Sequence, residues 1–166
     1  MITVTYNSSA TIADCLTSVT VASQTWPCEH IIIDGASKDN TVEIVRRVSP
    51  SGRIFSEPDD GIYDAMNKGI RLATGNIVGI LNSDDFYAGP HVLKKVMTLF
   101  RQSGVDALFA DLVYVRSDNL ERVVRYYSGS ALLRKSFPGG GCRPIRPFSS
   151  GVSCMSAMAC SIPIIR

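Results

Sequence analysis

Four short apolar runs rich in β-branched residues, each followed within a few residues by a segment of helical periodicity, dominate the first hundred positions. ITVTY (2–6) alternates, and between Ala10 and Ser23 the apolar residues Ile12, Leu16 and Val19 fall on one helical face. HIIID (30–34) is a continuous apolar run closed by an acid, and DNTVEIVRRV (39–48) supplies the next helix, with Asp39 or Asn40 placed to cap it. RIFSE (53–57) precedes a helix over 60–74 with Met66, Ile70 and Ala73 turned inward, and NIVGIL (76–81) precedes an amphipathic helix over 91–102. DALFAD, LVYVR and ERVVRYY read as further strands. This alternation predicts an α/β fold, a mainly parallel sheet with helices on both faces.

In open sheets of that kind ligands collect beyond the carboxyl ends of the strands. The polar residues gather there: Tyr6 and Asn7 after the first run, Asp34 at the end of the second, Glu57 and Asp59 after the third, Asp84 and Asp85 after the fourth. Adjacent carboxylates raise each other's pKa unless a cation, a basic partner or solvent relieves them. Hard oxygen ligands such as Asp84 and Asp85 suit Mg²⁺ or Mn²⁺, which bridge carboxylates to a diphosphate and stabilise it as a leaving group. The pattern therefore fits group transfer from a nucleoside diphosphate.

Local structure offers a second role for several of these residues. Asn7, Ser37 and Asp39 can cap helices, and Asp59 and Asp60 suit the positive end of the helix that follows them. Asp64, Asn67 and Lys68, at i, i+3 and i+4, share one polar helical face.

With 166 residues the chain is long enough for one domain with its own core, and a net charge of +2 without a basic run gives no sign of a nucleic-acid partner. No apolar run approaches the ~20 residues of a membrane span, and no signal segment opens the chain, so a cytoplasmic location is expected. Five cysteines and two histidines stand in neither CxxC nor zinc-ligand spacing, so the thiols are expected to be reduced.

The motifs ITVTYN (2–7), IIIDGASKDNTVEIV (31–45), SEPDDGIYDAMNKGIRLATGNIVGILNSDD (56–85) and DALFADLVYV (106–115) resemble family 2 glycosyltransferases of the GT-A fold, which invert the anomeric centre. The resemblance implies that Thr5, Tyr6 and Asn7 line the nucleotide pocket and that Asp34 holds base and ribose, with Ser37 and Asp39 in the same turn. It places Asp64, Asn67, Lys68 and Asp84 beside the sugar, and makes Asp84 with Asp85 the metal-binding DxD element. Asn82 stands at the first position of that element where many relatives have Asp. The implied partners are a nucleotide-sugar donor and a glycan or lipid-linked saccharide acceptor, the latter admitting peripheral membrane association. A sugar nucleotidyltransferase would instead need a Gly-rich, basic triphosphate loop, which TYNSSATIAD lacks.

After Phe137 the texture changes. PGGGCRPIRPFSSGVSCMSAMACSIPIIR has no stable period and no acid, and it lacks the HPTFF-like and YxxxGxFD-like segments and the acidic catalytic-base motif of the family. Codons read one frame over from Gly141 permit an HPTFF-containing string, so a shift near 137–141 is expected. On this reading residues 1–137 form a partial GT-A domain and 138–166 an irregular out-of-frame tail, and the catalytic base is unassigned. A nucleotide-binding remnant without turnover is the alternative. Met1 also lies unusually close to the first strand, as if a residue or two of the start were missing.

Overall fold

The computed structural model describes residues 1–103, 107–116, 118–127, 152–155 and 158–161. Strands β1 (Ile2–Thr5), β2 (Ile31–Asp34), β3 (Arg53–Ser56) and β4 (Ile77–Asn82) alternate with helices α1 (Ile12–Thr25), α2 (Thr41–Val48), α3 (Ile62–Leu72) and α4 (Val92–Ser103). The sequence-based boundaries differ by one or two residues. β5 (Ala107–Phe109), β6 (Leu112–Arg116) and β7 (Asn119–Tyr127) follow, then β8 (Val152–Met155) and β9 (Met158–Ser161).

The main sheet runs β3-β2-β1-β4-β9-β5, with β1 to β4 mutually parallel and β9 antiparallel to both its neighbours. Strand order reverses direction between β1 and β4, which creates the crevice that an open α/β sheet offers a ligand. The expected mixed fold with a parallel core is therefore what forms. A second sheet, β7-β6-β8, is antiparallel, and every residue of β7 is exposed. Of the expected irregular tail, the described residues are the two four-residue strands β8 and β9. The shift near 137–141 and the rest of 138–166 lie outside the described residues.

Helix α3 covers one sheet face. Ile2, Val4, Ile31, Ile33 and Val78 pack against Ala65, flanked by half-buried Met66, Ile70 and Ala73. The inward stripe is thus Ala65 and Gly69, with Met66 and Ile70 at its margin rather than at its centre. Small residues win the central position because the helix lies so close. A β-carbon built on Gly69 would sit 2.5 Å from Ile2 Cγ2.

The opposite face is covered by α1, α2 and α4. Ile12, Leu16, Ile32 and Val45 form one cluster, Cys15, Val19, Ala22, Leu81, Tyr87 and Leu93 a second, and Val96, Phe100 and Leu108 a third. Burying each such aliphatic side chain contributes about 1.5–3 kcal/mol, so the two faces hold the sheet rigid from both sides.

Candidate functional site

Register sets the site. Thr5, Asp34 and Ser56 are cross-strand partners at the ends of β1, β2 and β3, and Asn82 ends β4 opposite Val4. Four chain segments therefore leave the sheet along one edge, and the expected residues arrive together there.

Asp34 is wholly buried, and its carboxylate faces inward. Oδ1 accepts the Ser37 hydroxyl, while Oδ2 accepts the Ser37 amide (3.1 Å) and the Ser56 hydroxyl (2.6 Å). Three donors satisfy the charge that burial would otherwise penalise. The same Ser37 hydroxyl oxygen accepts the Asn7 amide at 2.8 Å, so Asp34 holds the first loop through Ser37.

The loops after β1 and β2 are laced together. Asn7, with φ 49°, offers its Oδ1 to the Lys38 amide at 2.8 Å rather than capping α1. The Ser8 amide reaches Thr41 Oγ1 (2.8 Å), the Ser9 amide reaches Asp39 Oδ2 (3.1 Å), and the Ser8 hydroxyl meets that of Ser83 (2.8 Å) beyond β4. Asp39 Oδ1 also accepts the Thr41 amide and hydroxyl at the start of α2. Chiefly the Thr41 hydroxyl, then the Ser9 and Thr41 amides, hold the Asp39 carboxyl down to about 2. Asp39 thus caps a helix and braces the rim at once. Sequence reasoning missed Thr41, Ser56 and Ser83, whose only signal was a small hydroxyl residue next to a strand end or helix start.

Between the second and third strand ends, Gly35 makes room for its neighbours. A β-carbon there would lie 2.7 Å from Asp59 Oδ2 and 3.4 Å from Tyr6 Cδ2. Tyr6 keeps 57 % of its surface exposed. Thr5, just before it, is buried, and its hydroxyl has no partner among the described residues.

On α3, Lys68 Nζ lies 3.0 Å from Glu57 Oε1 and 3.3 Å from Asp64 Oδ2, and it donates to the Pro58 carbonyl at 2.8 Å. Glu57, then Asp64, raise the Lys68 pKa. The Asp60 amide, then Lys68, lower that of Asp64. Asn67 is exposed one residue before Lys68. The ammonium thus fastens the β3–α3 loop to its helix.

Beyond β4 the two aspartates part ways. Asp84 is exposed, whereas Asp85 is 3 % exposed, with its amide donating to the Asn82 carbonyl and its Oδ2 3.4 Å from Asn82 Nδ2. Cys15 Sγ donates to the same Asn82 carbonyl, and burial pushes its thiol up to about 12. Among the described residues no three His, Cys, Asp or Glu side chains cluster as a preformed metal cage. The carboxylates of Asp84 and Asp85 are hard oxygen donors of the kind Mg²⁺ takes one or two at a time, together with waters and substrate phosphates, and Mn²⁺ suits the same donors. Asn82 Oδ1, buried and without a partner among the described residues, leaves one more hard oxygen at this corner. The catalytic base has no candidate here: the sequence after Phe137, where the family's acidic motif is expected, holds no acid. Among the described residues no helix is long and apolar enough to cross a membrane.

Comparison with known proteins bears on the fold that carries this site. The profile described as Glycosyl transferase family 2 matches residues 1–158. The PGL/p-HBAD biosynthesis glycosyltransferase of Mycobacterium tuberculosis is 34% identical over 120 residues, which cover 69% of this chain and 46% of that one. Among solved structures, Staphylococcus aureus TarS 1-349 in complex with UDP-GlcNAc superposes with a TM-score of 0.58 at 26% identity, over 66% of this chain and 32% of that one. The mannosyltransferase PcManGT from Pyrobaculum calidifontis, in complex with GDP-Man and Mn²⁺, gives 0.58 at 27% identity, over 69% and 34%. The chain spans under half the length of the curated relatives it matches.

Proposed function

Since the chain belongs to glycosyltransferase family 2 and has its GT-A fold, we propose that it binds a nucleoside-diphosphate sugar at the β1/β4 crevice and transfers the sugar, with inversion, to a glycan or lipid-linked acceptor. The observation that carries the reading is the convergence of Thr5, Asp34 and Ser56 in register, with Asn82 one residue back beside Val4 and the polar rim hydrogen-bonded across three loops above them. Tyr6, Asn7, Ser37 and Asp39 face the nucleoside, and Thr5 and Asp34 support them from beneath. Asp64, Asn67 and Lys68 flank the sugar.

Asp84, on the surface, is the principal metal ligand, and Asp85 fixes its turn from below as the second member of the pair. Asp84, with Asp85, would hold Mg²⁺ or Mn²⁺, which would supply positive charge against the diphosphate of the donor and of the leaving group. The chain's own part is to hold the donor still: aromatic contact at Tyr6, the braced turn at Ser37, and a β3–α3 loop tied down by Lys68. Deprotonation of the acceptor hydroxyl on the opposite face needs a further carboxylate.

A second reading, nucleotide binding without turnover, is favoured by one observation. No Asp or Glu occurs between residues 122 and 158, the last part of the family match. Calorimetry with UDP and MnCl₂ tests the shared premise: Asp84→Ala is expected to weaken binding at least tenfold, and unchanged affinity removes the metal assignment. Release of UDP from UDP-sugar with an acceptor present separates the two readings. Turnover supports transfer, and tight binding without it supports the second.

A further inference from the structure

Resting on the nucleotide reading above, we infer that Asp59 reads the donor's base and that this base is uracil or thymine. Gly35 is the first residue past β2, and the space its side chain would fill is bordered by two groups from two other loops. Asp59 Oδ2 and Tyr6 Cδ2 lie 2.7 Å and 3.4 Å from one and the same point beside its Cα. A carboxylate oxygen and an aromatic ring thus border the same small space at the rim, between the ends of β1 and β3.

Their states of engagement differ in a telling way. Asp59 Oδ1 accepts the Gly61 amide at 2.9 Å, which fixes the carboxylate plane. Its Oδ2 accepts no hydrogen bond among the described residues, and Asp59 is only half-buried. Tyr6 shows most of its ring to solvent. Asp34, the acid at the end of β2, is not offered to a ligand in this way, because it is wholly buried and holds three donors from Ser37 and Ser56. The oriented acceptor at this corner is Asp59 Oδ2.

An exposed ring stacks any base, so Tyr6 supplies affinity without choice. The choice comes from the neighbouring oxygen. A pyrimidine lying on Tyr6 with its N3 edge toward Oδ2 presents a donor, N3–H, when it is uracil or thymine. Cytosine presents a lone pair at N3 instead, which the carboxylate repels, and it can donate only from N4 by shifting along the edge. Guanine donates from both N1 and N2, a pair met best by two open oxygens of one carboxylate, whereas Oδ1 here already holds the Gly61 amide and has only its second lone pair to offer. A single free anionic acceptor therefore ranks uridine and thymidine diphosphates above guanosine diphosphate, with cytidine diphosphate last. A hydrogen bond to a charged group corresponds to about tenfold or more in affinity, which sets the scale of the preference.

The test compares UDP and CDP by calorimetry with MnCl₂, on the full chain and on two variants whose folding is checked by thermal melting. The wild type is expected to prefer UDP at least tenfold. In Asp59→Asn the amide oxygen can keep the Gly61 contact and the NH₂ group then faces the base, so UDP weakens, CDP strengthens, and the preference falls to about one or reverses. Gly35→Ala, whose methyl would press on Oδ2, reaches the same point by displacing the acceptor. A UDP preference that survives intact in Asp59→Asn overturns the role of Asp59 and leaves the nucleotide site standing. A wild type that prefers CDP overturns the inference as well. A wild type that binds neither nucleotide overturns this inference together with the reading it rests on.

Discussion

Asp34 gives the sharpest prediction about what holds the rim in place. Its carboxylate is wholly buried and receives the Ser37 amide, the Ser37 hydroxyl and the Ser56 hydroxyl. Each hydrogen bond to a charged group contributes about 1.5–3 kcal/mol, and a buried donor left without a partner costs about 1–3 kcal/mol. Asp34→Ala removes all three acceptor contacts at once, although the two hydroxyls can turn toward other acceptors. The expected loss is about 3–5 kcal/mol, in line with stranding one partner of a buried charged network. Asp34→Asn is milder: the amide oxygen keeps the Ser37 amide and the Ser56 hydroxyl, and the new NH₂ group donates to Ser37 Oγ. That variant loses charge assistance and is expected to cost about 1–2 kcal/mol. Urea unfolding followed by circular dichroism measures both. Hydrogen exchange at the Asn7 amide adds a local readout, because that amide is held by the same Ser37 hydroxyl. It should exchange faster in Asp34→Ala even under conditions where the core stays closed. An Asp34→Ala variant within about 1 kcal/mol of wild type, or an Asp34→Asn variant equally damaging, would refute the reasoning.

Two further tests address the core. Gly69→Ala improves intrinsic helix propensity by up to ~1 kcal/mol yet drives a methyl to 2.5 Å from the fully buried, β-branched Ile2, so overpacking of about 1–3 kcal/mol should win, and a lowered urea midpoint is expected. His30, its Nε2 2.9 Å from Thr3 Oγ1, has its pKa pushed down to about 4, first by burial and then by the N-terminal ammonium. Its folded-state value is below the unfolded one, so the unfolded chain takes up the proton first. The contribution is complete above pH ~6.5 and about 3 kcal/mol is lost as pH falls to ~4, a slope that His30→Asn should flatten in urea titrations across that range.

Much of the frame was legible because apolar run length and period report burial directly. Three consecutive isoleucines before Asp34 read as a strand covered on both faces, and α1 buries Ile12, Leu16 and Val19 at their expected spacing. What stayed hidden depends on partners distant in sequence. Nothing local announces that Ser56, 22 residues on, is level with Asp34 and turns that acid inward. Asn7 looked like a cap, but its left-handed backbone and its bond to Lys38 arise from the neighbouring loop. In α3 the apolar period favoured Met66 and Ile70, while distance of approach favoured Ala65 and Gly69. Adjacent Asp84 and Asp85 were read as a pair, yet one faces solvent and the other is buried in the turn.

The flush strand ends also divide labour between frame and fittings. A residue can stray from its anchor by at most ~3.5 Å per intervening link, so Tyr6, one step beyond Thr5, and Asp84, two beyond Asn82, are on short leashes, whereas Ser37 and Asp59 each hang three beyond Asp34 and Ser56. On the nucleotide reading proposed above, substitutions at the longer tethers retune which nucleoside is accepted while the diphosphate stays put, so altered donor preference should be reachable by engineering those two loops without touching the sheet.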